Sequence, residues 1–182
     1  MVNRKAFICG IKSFTLSSNE INFLKKHKPW GIILFTRNIK DIKQTKKLTD
    51  QIKKIFNDQK YPILIDQEGG RVNRLKKLIT FDNLTSEYFG KLYLEDKKKF
   101  NIYFRLFIDK TSELLKLISA NINTLPVLDL KYKGASNIIG DRSFSKNPKI
   151  VSLIGDICIK LFHLNAFGAV IKHIPGHGLA KS

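Results

Sequence analysis

Three stretches of this chain carry residue types that could do chemistry. Ile65-Asp66-Gln67-Glu68-Gly69-Gly70-Arg71-Val72-Asn73-Arg74 is one, Gly140-Asp141-Arg142-Ser143-Phe144 a second, and Lys172-His173-Ile174-Pro175-Gly176-His177-Gly178 a third, with Asp129 closing the apolar run Pro126-Val127-Leu128. A carboxylate followed by two glycines suits a hydroxyl-rich ligand. Asp66 can accept hydrogen bonds from vicinal hydroxyls, and residues without Cβ let the backbone approach a ring closely. The same residues admit a plainer reading, in which Asp66 or Glu68 pairs with Arg71 or Arg74 to brace the loop and His173 caps a buried carbonyl. For Asp66 alone the two readings balance; for the set, function is favoured, because charged groups at several strand ends seldom gather at one rim merely for solubility. His173 and His177 are four apart, a spacing that suggests a metal. Pro175 and Gly176 preclude the helix that would bring both imidazoles to one face, so no metal is expected, and no cofactor.

The elements that must position these residues alternate. Ala6 to Ile11 reads as a short strand, and Ser17-Ser18-Asn19-Glu20 offers a capping box opening a helix through about His27. Trp30 to Phe35 is a continuous apolar run, the pattern of a strand covered on both faces. Asp41 can cap a helix whose apolar positions Ile42, Leu48, Ile52, Ile55 and Phe56 recur at helical spacing until Asn57-Asp58. Tyr61 to Asp66 is a third strand, with Pro62 tolerable at its start. An irregular stretch to about Gly90 precedes a long helix marked by Phe100, Tyr103, Phe104, Phe107, Thr111, Leu114, Leu115 and Ile118. A fourth strand follows at Asn123 to Leu128. Asn147-Pro148 then starts a helix with a stripe of Ile150, Ile154, Ile157 and Leu161, ended by Asn165 and Gly168, and Ala169 to Lys172 is the fifth strand. Such alternation implies a parallel sheet with helical crossovers, doubly wound or a barrel. In parallel α/β folds chemistry collects beyond the carboxyl ends of the strands, and Asp66, Asp129 and Lys172 all stand at such ends.

Composition sets the remaining bounds. The chain has 182 residues, 43% of them hydrophobic, enough for one ordinary domain with a real core and no linker to divide it. A formal net charge of +18 would ordinarily point to nucleic acid or an anionic membrane surface. The surplus is mostly Lys and is spread along the chain, so a solvated surface is the preferred reading, with neither nucleic acid nor membrane as partner. Cys9 and Cys158 form no CxxC pair and read as two buried, reduced thiols. The first apolar run is too short for a signal peptide, and no segment approaches the length of a membrane span, so a cytoplasmic protein is expected.

Taken together, Leu34-Phe35-Thr36-Arg37-Asn38, the Asp66 to Arg74 segment, Pro126 to Asp129, Gly140 to Phe144 and Lys172 to Gly178 resemble the β-N-acetylhexosaminidases of glycoside hydrolase family 3, in order and spacing across the whole chain. The resemblance implies a (β/α)8 TIM-type barrel, of which this chain would hold about five of the eight βα units, since such barrels run to about 250 residues. It implies hydrolysis of terminal β-linked N-acetylglucosamine and a role in recycling cell-wall muropeptides. Carried over position by position, the sugar-binding residues fall on Asp66, Arg74, Arg142, Lys172 and His173. The family retains anomeric configuration through an Asp nucleophile, with a His-Asp dyad as acid/base in place of the usual second carboxylate. Both groups would lie beyond Ser182, so residues 1–182 are expected to be the N-terminal part of the catalytic barrel, without hydrolase activity alone and prone to self-association through open barrel edges. Two other readings remain at this point: a remnant that binds amino sugars without cutting them, and a basic nucleic-acid-binding α/β protein.

Overall fold

The structure, a computed structural model, describes residues 4–132, 134 and 137–177. Five parallel strands form one sheet: β1 (Lys5–Gly10), β2 (Pro29–Leu34), β3 (Ile63–Ile65), β4 (Ile122–Asn123) and β5 (Gly168–Ala169). Between them run α1 (Ser18–His27), α2 (Ile42–Phe56), the pair α3 (Ser86–Glu95) and α4 (Lys97–Leu117), and α5 (Pro148–Leu164). Each strand lies beside its predecessor in sequence, with registers such as Leu34↔Ile65 and Asn123↔Ala169. A doubly wound sheet reverses its strand order at a switch point; this one does not, and its one-directional winding is that of a barrel. The alternation alone had left that choice open.

Local chemistry accounts for the helix ends. Ser17 Oγ accepts from the Glu20 amide at 3.2 Å while Glu20 Oε2 accepts from the Ser17 amide at 2.9 Å, a complete capping box. Asp41 accepts from the Gln44 amide at 2.7 Å and starts α2, and Lys28 and Asn57 close α1 and α2 in the left-handed conformation. The core lies between the sheet and the helices. Ile32, Leu34, Ile63 and Ile65 have no exposed surface and meet Leu48 and Ile52 of α2 and Phe104, Ile108 and Leu115 of α4. Each such side chain contributes roughly 1.5–3 kcal/mol by leaving water.

Four expectations need correction. The stretch ending near Gly90 contains α3, capped by Thr85, and Gly90 lies buried inside that helix. A Cβ on Gly90 would stand 1.7 Å from the Phe144 carbonyl oxygen, so the glycine is there for close approach of α3 to the segment after Gly140, not to break a helix. Strand β4 stops at Asn123, well short of Leu128. Asn123 turns its side chain to the Gln67 backbone, accepting at 3.1 Å and donating at 2.9 Å, and Pro126 has no N–H to continue a ladder. The expected stripe of α5 does face the core, with Ile154 buried and Ile150, Ile157 and Leu161 partly buried against it, but its centre lies one residue further on, at Val151, Gly155, Cys158 and Phe162, where Gly155 meets Leu128. Cys158 is fully buried, whereas Cys9 is only half-buried; both are free thiols.

Among the described residues, β1 and β5 each pair on one side only. Ile8, Val170, Ile171 and Ile174, on or near those edges, are exposed.

Candidate functional site

The carboxyl ends of β3 and β5 and the chain after β4 meet at one rim. Asp66 directly follows β3, and its carboxylate accepts from Arg74 Nη2 at 2.7 Å, from Thr124 Oγ1 at 2.8 Å and from the Lys172 ammonium. Burial pushes the Asp66 pKa up, but the Lys172 charge and the hydrogen bonds from Lys172, Arg74 and Thr124 outweigh it and hold the group well below the ordinary carboxylate range. Lys172 reaches the rim although β5 ends at Ala169. Its amide donates to the Pro126 carbonyl at 3.1 Å and its carbonyl accepts from the Leu128 amide at 2.5 Å, which ties it to the chain beyond β4.

Arg142 arrives from the short 3-10 turn Gly140–Arg142. Its Nε and Nη2 both donate at 2.8 Å to Glu68, whose side chain is only 2% exposed. Lys172 Nζ lies 2.6 Å from Glu68 Oε1 as well, so this one carboxylate holds two cations. The turn is itself braced by Arg71, which pairs with Asp141 at 2.9 Å and donates to the Ile139 carbonyl at 2.9 Å.

His173 sits beside this cluster. Asp129, with no exposed side-chain surface, lies 2.5 Å from His173 Nδ1, and it accepts from the His173 amide at 3.2 Å and the His177 amide at 2.5 Å. Burial raises the Asp129 pKa, and the His173 contact and the two amides bring it below its ordinary value. A cleft of about 290 Å³ opens here, lined by Leu128, Asp129, Leu130, Tyr132, His173, Pro175 and Gly176. The rings of His173 and His177 stand 5.7 Å apart at right angles, and Gly176, at φ +128°, makes a turn that a helix would not. Among the described residues no three His, Cys, Asp or Glu side chains are grouped to hold a metal ion. Gly178, the last residue of the third motif, lies outside the described residues.

All five sequence-predicted positions, Asp66, Arg74, Arg142, Lys172 and His173, therefore come to one rim. The bracing reading holds for the Asp66 pair with Arg74, while Glu68 turns to Arg142 and Lys172 rather than to Arg71 or Arg74. Sequence reasoning singled out Glu68 and Asp129 as chemical residues but kept them outside the sugar-binding set, and it missed Thr124. The first two stood in the quoted motifs, and only their partners, far away in sequence, reveal their place; Thr124 carries no local signal at all.

A one-directional α/β sheet with its charged groups collected at the carboxyl ends of the strands defines a TIM-type barrel protein. The family model for the glycosyl hydrolase family 3 N terminal domain matches residues 10–182, and the chain belongs to that family. The beta-hexosaminidase of Hydrogenovibrio crunogenus is 32% identical over 94% of this chain and 47% of its own length, and that of Xanthomonas campestris 29% over 94% and 50%. NagZ from Neisseria gonorrhoeae, solved in complex with N-trifluoroacetyl-D-glucosamine, superimposes with a TM-score of 0.86 at 29% identity, over 96% of this chain and 52% of that one. The chain thus spans about half the length of the relatives it matches.

Proposed function

We propose that this chain forms the sugar-gripping part of a β-N-acetylhexosaminidase that removes terminal β-linked N-acetylglucosamine. The observation that carries the reading is the convergence of Asp66, Arg142, Lys172 and His173 on one rim, from segments up to 107 residues apart in sequence. Asp66, held ionised, accepts from ring hydroxyls; Arg74 and Arg142 supply donors; Lys172, its three hydrogens taken by Asp66, Thr124 and Glu68, supplies positive charge beside them; His173, with Nδ1 held by Asp129, offers Nε2 to the ligand. The resemblance extends the substrate to cell-wall muropeptides and the setting to the bacterial cytoplasm.

Cutting the glycosidic bond needs an acid and a nucleophile or base with an oxygen turned to the substrate. Asp66, Glu68 and Asp129 are each committed to two or more donors in this structure. Residues 1–182 by themselves accordingly bind the sugar without turning it over. Among the described residues β1 and β5 each pair on one side only, which supports association of this chain with a second copy. Calorimetry with N-acetylglucosamine, alongside an aryl N-acetylglucosaminide assay, tests the reading. Binding that is lost in Asp66→Ala, without hydrolysis, is expected; absence of binding, or binding untouched by Asp66→Ala, overturns it.

A further inference from the structure

We infer that Glu68 is a positioning residue, the buried anion that sets where Arg142 and Lys172 stand for the ligand. The inference rests on the proposed sugar site and goes beyond it by naming what holds that site's cations in place.

The sheet cannot do so. The ladder between β4 and β5 has only two residue pairs, Arg142 comes from a 3-10 turn, and Lys172 lies three residues past the end of β5. Backbone bonds at Lys172 and the Arg71 brace fix where the two side chains begin, but both are long and carry large rotamer entropy, so the backbone alone would leave their charged ends spread over many conformers. Glu68 removes that freedom. Its two oxygens take the Arg142 fork at 2.8 Å each, which fixes the plane of the guanidinium, and Oε1 also meets Lys172 at 2.6 Å. The Lys172 ammonium has three hydrogens, and Asp66, Thr124 and Glu68 account for three partners, so its direction is set from all sides.

Glu68 is itself rigidly placed. Its amide donates to the Val72 carbonyl at 3.0 Å, Gly69 and Val72 form an antiparallel bridge, and Gly69 and Gly70 turn with φ of +86° and +55°. A Cβ on Gly69 would stand 2.3 Å from the Leu84 carbonyl, so only glycine lets this turn seat Glu68 against the rim. Burying an ion pair is a poor source of stability, because an apolar replacement often does as well. A carboxylate kept here at 2% exposure is explained by the orientation it imposes.

The test is a double-variant cycle on the full 182-residue chain, read by calorimetry with N-acetylglucosamine. Glu68→Gln keeps size and one acceptor but loses the charge, and is expected to weaken binding about tenfold, the worth of one charge-assisted hydrogen bond. In an Arg142→Ala background the same change should cost clearly less, about threefold, because only Lys172 is left for Glu68 to place. Glu68→Asp, which keeps the charge on a shorter arm, serves if Glu68→Gln does not fold and should weaken binding at least about threefold by the same reasoning. Independently of any sugar, the Arg142 Nε–H proton should exchange slowly in the wild-type chain and quickly in the Glu68 variants by NMR. Wild-type affinity in both Glu68 variants, an undiminished effect in the Arg142→Ala background, or fast Nε–H exchange in the wild type each overturns the inference. Failure of the sugar-site reading has its own signature, no binding by the wild type, and the exchange measurement then still decides the role of Glu68.

Discussion

Replacing Asp129 by Ala isolates the residue that anchors the segment His173 to His177. Its carboxylate has no exposed surface and takes three contacts, with the His173 amide at 3.2 Å, His173 Nδ1 at 2.5 Å and the His177 amide at 2.5 Å. Hydrogen bonds to a charged acceptor are worth roughly 1.5–3 kcal/mol each, which gives an upper bound of about 5–9 kcal/mol for three. Water recovers part of this, because the His173 side chain is 33% exposed and the released groups can reach solvent. A net loss of about 3 kcal/mol remains, equivalent to a fall in Tm of about 6–12 °C for a chain of this length. If the anchor is local, the same free energy should appear in hydrogen exchange as a protection loss of about a hundredfold at the His173 and His177 amides. Core amides such as Ile32 should lose no more than the global destabilisation allows. Asp129→Asn retains one acceptor and should cost about 1 kcal/mol. Unchanged protection at His173 and His177 in Asp129→Ala, with a Tm within about 1 °C of wild type, would refute the argument that this carboxylate holds the segment.

Acid should weaken the fold through the same carboxylates. The folded-state pKa values of Asp66 and Asp129 lie below the ordinary 3.8, so each contributes stability that is complete above about pH 4 and is lost as pH falls below it. Urea midpoints measured from pH 7 to 2 should therefore drop less steeply below pH 4 in Asp66→Asn than in the wild-type chain, and parallel curves would contradict this. Gly90→Ala drives a methyl into the Phe144 carbonyl and forces α3 or the Arg142 turn to move, a cost of about 3 kcal/mol or more by urea unfolding. Burial raises the Cys158 thiol pKa strongly and that of Cys9 as well, so mass spectrometry after brief alkylation should find Cys158 unmodified until urea unfolds the chain, with Cys9 reacting first.

Sequence by itself determined the alternation of strands and helices, because hydrophobic periodicity and caps such as Ser17, Asp41 and Asn147 act within a few residues. It also made the motifs at Asp66, Arg142 and Lys172 legible, although only Asp66 directly follows a strand, β5 ending at Ala169 and Arg142 lying on a 3-10 turn. Periodicity left the order of the strands open; the family resemblance implied a barrel, and the tertiary structure displays its one-directional winding. It decided that Gly90 belongs inside a helix, since the reason for the glycine is the Phe144 carbonyl, 54 residues on. It decided, finally, which carboxylate meets which cation. Coulomb attraction depends on distance in space and not along the chain, so Glu68 finds Arg142 and Lys172 instead of its near neighbours Arg71 and Arg74.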